Sequence, residues 1–499
     1  MSNDSEPKAG GRLITVSNRL PVVFKPDPDG GWSTTGGAGG LVTALVPVLR
    51  DRGGLWIGWP GVTEEEANGL EAAVERAGLE SGYRLHSVML TAEEESGFYF
   101  GFSNEVAWPI FHDLHTLCNF DPKYWRIYQR VNRKFAEVTA HHARPDDYIW
   151  VHDYHLMLMA AELHRKGVES RTGFFLHIPF PPQDIFLLLP WRLQILEGLL
   201  RYDFIGFQTQ RDSRNFLRCV EGVVPDAGIE EKGRIASVRL GDRTVRVGYF
   251  PISIDFEDFA AAASTSEVAD LAWYIHEQLP DRKLVLGIDR LDYTKGIPYR
   301  LKAFREALMR YPELQERLSL VQVVVPSRED IPEYAQLREE IEGLVGRING
   351  ELTRSGWVPV HYIYRSLDRN ELLAYYRTAE MALVTPIKDG MNLVSKEYCA
   401  CNVEENGVLI LSEFAGSADQ LQGGAILVNP FDVEGMAEAI YTGFKMEPQE
   451  RKERMSHLRE AIRSQDIFWW VDSFLTASIE KGLKTFPLLK EYTPRMEID

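Results

Sequence analysis

Two doubly wound α/β domains are predicted for this chain by three features: short β-branched and aromatic runs, helical patterns after most of them, and chain enough for two cores. At 499 residues the chain exceeds the roughly 250 to 300 over which one core keeps growing, so it divides. The runs are continuous instead of alternating, as when helices cover both faces of a parallel sheet.

The first series is "LITVSN" (13–18), "LWIGW" (55–59), "YIWVHD" (148–153), "TGFFLHI" (172–178) and "FIGFQ" (204–208). A second follows: "KLVLGI" (283–288), "LSLVQVVVP" (318–326), "VHYIY" (360–364), "MALVTP" (381–386), "GVLILS" (407–412) and "AILVNP" (425–430). Helical stretches, such as 331–346 and 432–446, separate them. The Ala- and acid-rich stretch 255–280 lacks strand character and reads as the join between domains. After the last strand, "QDIFWWVDSFLTASIEKGL" reads as a helix crossing back to the first domain. The expected divisions are 1–255, 256–465 and a returning segment, 466–499. No internal repeat or low-complexity tract interrupts the pattern.

A net charge of −18 and a pI of about 5.3 exclude a broad basic face for nucleic acid or anionic lipid. Phosphate chemistry must therefore use a few placed cations. The polar start "MSNDSEPKAGGR" has no signal-peptide character, and no apolar run approaches the roughly 20 residues of a membrane span. The expectation is a cytoplasmic protein with no membrane partner. Cys118, Cys219, Cys399 and Cys401 are too few for a disulfide framework and are read as reduced thiols. His112, His115 and Cys118 in "HDLHTLC" lie among apolar and aromatic residues, so no metal is expected there or at Cys399-x-Cys401.

In doubly wound sheets ligands collect at the carboxyl ends of strands, which gives weight to the loops that follow them. "SNRLPV" places Arg19 at such an end. The glycines of "TTGGAGGLVTAL" leave room for a ligand near backbone and a helix N-terminus. They fit neither GxGxxG with its acidic residue nor GxxxxGK[ST], which disfavours a nicotinamide cofactor and a nucleotide-hydrolysing loop. Asp153 and His177 also end strands; the structural alternative has Asp153 capping the next helix and His177 bonding a backbone carbonyl. "GIDRLDYTKGIPYR" supplies Arg290 and Lys295, a fork and a point charge suited to a diphosphate. In "KDGMNLVSKEY", Asp389 either caps a helix, or turns to sugar hydroxyls while the amides of Met391, Asn392 and Leu393 face an anion. Glu397, one turn below, is placed to accept from a ribose, so a nucleoside diphosphate fits both ends.

"SNRLPV", "GGLVTAL", "FSNEVAWP", "WVHDYHLM", "GFFLHIPFP", "IDRLDYTKG", "VPSRED", "GRING", "DGMNLVSKEY" and "VLILSEFAG" together resemble the retaining trehalose-6-phosphate synthases, in order from about residue 13 to 430. The resemblance implies a GT-B fold: two Rossmann-like domains facing each other across a cleft, the N-terminal one binding acceptor and the C-terminal one the nucleotide sugar. It implies that Arg19, Tyr99, Trp108 and Arg328, with Asp153, hold glucose 6-phosphate. Gly40, Arg290 and Lys295 are implied at the donor pyrophosphate, Asp153, His177 and Asp389 at the sugar rings, and Asn392, Leu393 and Glu397 at the nucleotide.

The implied reaction moves glucose from UDP-glucose, or another NDP-glucose, to the anomeric hydroxyl of glucose 6-phosphate. Arg290, Lys295, Asp389, Asp153 and His177 form the implied catalytic set, with no metal and no cofactor. The implied partners are these small molecules, and since relatives often assemble, a homo-oligomer stays open. The chain departs from the family pattern in its longer 25–36 loop, in Thr294 where Ser is common, and after the core of "HIPFPPQDIFLLLPWR". A sister enzyme that uses glycerol 3-phosphate shares most donor motifs, and a non-catalytic sugar-phosphate-binding homologue is the remaining alternative.

Overall fold

Every apolar run predicted as a strand forms one in the computed structural model of the chain, which describes residues 11–27, 31–36, 42, 45–46, 48–50, 54–279, 282–328, 331–479 and 491–494. Two units divide it: Met1–Phe250 with Val471–Leu488, and Pro251–Trp470 with Leu489–Asp499.

In the first unit the strands are β1 (Leu13–Arg19), β2 (Val22–Pro26), β3 (Trp32–Gly36), β4 (Leu55–Trp59), β5 (Arg84–Ser87), β6 (Tyr148–His152), β7 (Arg171–Phe175), β8 (Phe204–Phe207), β9 (Gly228–Lys232), β10 (Ile235–Leu240) and β11 (Arg243–Tyr249). Nine of them make one sheet in the order β5-β4-β1-β6-β7-β8-β11-β10-β9, and β2 and β3 form a separate hairpin. Pairing is parallel from β5 to β11 and antiparallel across β11, β10 and β9. β4 and β6 are buried along their whole length. Trp150 of β6 stacks at 4.2 Å and 4° on Phe474, from the helix Ile467–Ile479.

The second unit holds β12 (Lys283–Arg290), β13 (Leu318–Val325), β14 (Val360–Tyr364), β15 (Met381–Val384), β16 (Val408–Ser412) and β17 (Ile426–Val428), all parallel, in the order β14-β13-β12-β15-β16-β17. Alternate residues of each strand enter two cores. Val285, Leu320, Val324, Met381 and Leu383 pack on one face; Leu284, Leu286, Val321, Val323 and Ala382 pack on the other. Helices cover both faces, which is why these strands read as continuous apolar runs.

Both sheets reverse their strand order beside their first strand, between β1 and β6 and between β12 and β15. The loops leaving these strand ends diverge to opposite faces and leave a crevice, the place where doubly wound sheets bind ligands.

The stretch 255–280 is not a simple join. Asp255 and Thr265 cap the helices Phe256–Ala263 and Ser266–Glu277, and Phe256, Ala263, Val268 and Ala272 enter the second unit's core. Among the described residues no helix is long and apolar enough to cross a membrane.

Candidate active site

At the β1/β6 reversal, Arg19 is the exposed end of an otherwise buried strand, and Pro21, two residues on, has no N–H with which to extend the ladder. Its guanidinium lies 3.9 Å from the centroid of the Trp59 ring and 5.4 Å from that of Tyr99. Gly61 makes room for it: φ is 89° there, and a Cβ would come within 1.8 Å of Arg19 Nη1. Tyr99 comes from Glu95–Ala107, a stretch wound as π-helix, a rare form that frequently marks functional sites. Its ring stacks with His155 at 6.2 Å and 11°. Trp108, just after that stretch, packs on His112 at 4.3 Å and stands 5.9 Å from Tyr154.

The buried helix residues Tyr128 and Asn132, on Pro122–His142, hold the loop after β6 from below. Tyr128 Oη donates to the Tyr154 carbonyl at 2.8 Å and accepts from the Met157 amide at 3.1 Å. Asn132 donates to the His155 carbonyl and accepts from the Leu158 amide, both at 3.1 Å. Trp59 and His155 thus join Arg19 and Tyr99, although only "WVHDYHLM" had drawn attention to that loop.

Asp153 does not cap the turn that follows it. It stands at φ 75°, ψ 168°, a region costing a non-glycine residue about 1–3 kcal/mol, and its Oδ1 accepts the His177 amide at 3.1 Å. His177 in turn places its ring Nε2 3.2 Å from His152 Nδ1. Burial draws the His177 imidazole down to about 3, and burial together with His177 pulls His152 well below its usual value. Two neutral rings share one proton in such a contact.

Neutral His177 sets the sign of a pH effect. In the unfolded chain the ring protonates near ~6.5, while in the fold it stays neutral down to about 3. Its contribution to stability is therefore complete above the unfolded value and is lost as the pH falls from there toward the folded one. The expected NMR result is no titration of the His177 ring nitrogens between about pH 8 and 5. An inflection near the unfolded value would contradict it.

At the β12/β15 reversal, Arg290 ends β12 exposed, and no hydrogen bond or ion pair engages its side chain among the described residues. Lys295 closes the single turn Tyr293–Lys295; the helix Ile297–Arg310 begins after Gly296, whose φ of 67° and approach to the Thr385 carbonyl leave no space for a Cβ. Lys295 Nζ lies 2.6 Å from Asp389 Oδ2, both side chains being largely buried. Asp389 also accepts from Asn392 Nδ2 at 3.2 Å and from the Met391 amide at 3.4 Å.

The cap of the helix Leu393–Cys401 is Asn392, at φ 74°, whose side chain accepts the Ser395 amide at 3.1 Å. Asp389 is thereby free of the capping role that its position suggested. Glu397, one turn along, accepts from Tyr376 Oη at 2.8 Å, and burial raises its carboxyl. Leu393 opens the helix half-buried.

Below the loop, fully buried Arg300 pairs with Asp289 at 2.7 Å and donates to Thr385 Oγ1 at 3.1 Å. It also reaches the carbonyl of Lys295. Burial raises the Asp289 carboxyl although Arg300 opposes it.

Arg328 belongs to the second unit, at φ 52°, where it donates to Tyr334 Oη at 2.6 Å and stands 3.5 Å from Asp292. Burial alone would raise Asp292, but Arg328, Lys295 and the bonds from Thr294 outweigh it and hold the carboxyl below its usual range. The Thr294 hydroxyl donates to Asp292 at 2.8 Å, a bond for which serine would serve equally. Gly40 lies outside the described residues. Among the described residues no group of three or more His, Cys, Asp and Glu side chains is placed to hold a metal ion.

Residues 11–480 match glycosyltransferase family 20. A trehalose-6-phosphate synthase of Mycolicibacterium smegmatis is 42% identical over 94% of this chain and 93% of its own. Among solved structures, the α,α-trehalose-phosphate synthase (UDP-forming) of Burkholderia xenovorans in complex with glucose-6-phosphate superposes with a TM-score of 0.83 at 35% identity, over 94% of this chain and 100% of that one. The E. coli protein bound with UDP-2-fluoro glucose gives 0.82 at 33% identity, over 94% and 99%.

Proposed function

The chain belongs to glycosyltransferase family 20, and from that premise we propose that it is a UDP-forming α,α-trehalose-phosphate synthase. It transfers glucose from UDP-glucose to the anomeric hydroxyl of glucose 6-phosphate, with retention, giving trehalose 6-phosphate and UDP. The observation that carries this reading is the group of cations at the β12/β15 reversal, Arg290 and Lys295, in a chain of acidic composition so similar to UDP-forming synthases.

In this reading the second unit serves the donor. Arg290 and Lys295 stabilise the charge that develops on the departing diphosphate, which is electrostatic catalysis by groups already in place. Asn392, Leu393 and Glu397 face the nucleotide, and Asp389 accepts from sugar hydroxyls. The first unit serves the acceptor through Arg19, Tyr99, Trp108 and Asp153. His177, neutral and held by His152, contacts the sugar and serves poorly as a base. The leaving phosphate takes the acceptor's proton on the face where the new bond forms, so no carboxylate nucleophile is required. The partners are small molecules, and the enzyme acts in the cytoplasm.

The test is UDP release from UDP-glucose with glucose 6-phosphate or glycerol 3-phosphate in separate reactions, the products being identified by mass. A non-reducing disaccharide phosphate formed only with glucose 6-phosphate supports the proposal. Preference for glycerol 3-phosphate would overturn the acceptor assignment. No release with either, repeated with ADP- and GDP-glucose, would overturn the enzyme.

A further inference from the structure

Lys396, beside Glu397 on the helix Leu393–Cys401, is the anomaly of the second unit. It is fully buried, no carboxylate pairs with it among the described residues, and burial draws its ammonium down to about 7. Lysine is almost never fully buried without a charged partner, because taking the ammonium out of water is costly. Its Nζ donates instead to the Ile252 carbonyl at 2.8 Å and to Gln420 Oε1 at 2.5 Å. Gln420 passes the contact on, its Nε2 donating to Gln465 Oε1 at 2.8 Å.

The ends of this network have a meaning in the chain. Ile252 comes just after the chain enters the second unit at Pro251, and Gln465 shortly before it leaves at Trp470. The two segments also touch directly, the Ile467 amide donating to the Ile254 carbonyl at 3.0 Å. One buried ammonium therefore ties the helix that starts at the Asn392 cap to both stretches by which the chain enters and leaves the unit.

We propose that Lys396 is a positioning residue for the nucleotide sugar: by fastening the helix Leu393–Cys401 to the segments around Ile252 and Gln465, it sets where Asn392 and Glu397 stand. The inference rests on the donor reading given above. A lysine kept only for stability would be a poor choice here, since burying its ammonium costs desolvation that an apolar replacement of the whole network would avoid.

The experiment compares Lys396→Met with the parent enzyme. The expected result is a thermal midpoint lowered by a few degrees, since the Ile252 carbonyl and Gln420 Oε1 each lose the lysine as donor, a KM for UDP-glucose raised about tenfold, the loss of about one hydrogen bond to the donor, and a nearly unchanged KM for glucose 6-phosphate. Hydrogen exchange at the Ile467 amide is expected to accelerate. Gln420→Leu, which cuts only the arm to Gln465, is expected to move the same quantities less far, and it decides the matter should the methionine variant not fold. Unchanged donor KM and unchanged exchange would overturn the proposal, as would equal losses for donor and acceptor. Exchange needs no substrate, so it tests the tie even if the synthase reading itself fails on the parent protein.

Discussion

Arg290→Ala is expected to lower kcat by about 10²- to 10³-fold, the usual cost of removing one preorganised group that stabilises developing charge, and to leave the fold as stable as before. No protein group relies on the exposed Arg290 side chain among the described residues, so nothing is orphaned when it goes. Lys295→Ala is expected to reduce kcat comparably but also to destabilise. It takes from Asp389, whose side chain is only 14% exposed, its ion-pair partner. Removing one member of a buried pair costs about 3 kcal/mol or more, and the Asn392 and Met391 contacts keep this case near the lower end. Adding Asp389→Asn to Lys295→Ala should restore the urea midpoint without restoring kcat. That combination separates the two roles of the lysine, the one it plays in the fold and the one it plays toward the diphosphate. A near-normal kcat in both single variants would remove these cations from the mechanism.

The strand ends were legible because charge there is conspicuous. An Arg or Lys directly after a run such as "KLVLGI" can be assigned to the carboxyl edge of a sheet with no knowledge of its neighbours, and Arg19, Arg290, Lys295 and Asp153 all stand at such edges. What sequence could not supply was the partner of each. Nothing in "KDGMNLVSKEY" says that Asn392, instead of Asp389, caps the helix, because the choice depends on Asn392 adopting φ 74°. Nor does it say that Asp389 reaches Lys295, a contact made between loops from adjacent strands.

Trp59 escaped notice for a related reason: "LWIGW" reads as uniformly buried strand, and only the pairing of β1 with β4 puts its last residue under Arg19. The strands β9, β10 and β11 carry "GIEEK", "IASVRL" and "RTVRVGY", too charged to match a pattern tuned to buried parallel strands. β11 still pairs parallel with β8, and the antiparallel pairs begin with β10 at the edge of the sheet, where one face meets water. The helices of 255–280 were hidden by alanine, which fills a helix without marking a face.

Gly61→Ala is expected to raise the KM for glucose 6-phosphate by about 10- to 100-fold, nearly as much as Arg19→Ala, the range that corresponds to losing a hydrogen bond to a charged group. The reason lies in what must yield. A Cβ at Gly61 would come within 1.8 Å of Arg19 Nη1, the far end of a flexible side chain, so the guanidinium leaves the face of Trp59 and the backbone hardly moves. Stability falls only by the cost of a left-handed conformation, about 1–2 kcal/mol, while the cation loses its seat. Because both substitutions act on one group, the double variant should be little worse than either single one, which is the signature of shared function in a double-mutant cycle. The KM for UDP-glucose should stay as it was in all three. Unphosphorylated glucose, offered as acceptor at high concentration, should show no further loss when Arg19 is removed, since the charge it meets is absent. If Arg19→Ala leaves the KM for glucose 6-phosphate unchanged, the arginine is a packing element of the Trp59 and Tyr99 rings, and the acceptor phosphate is held elsewhere.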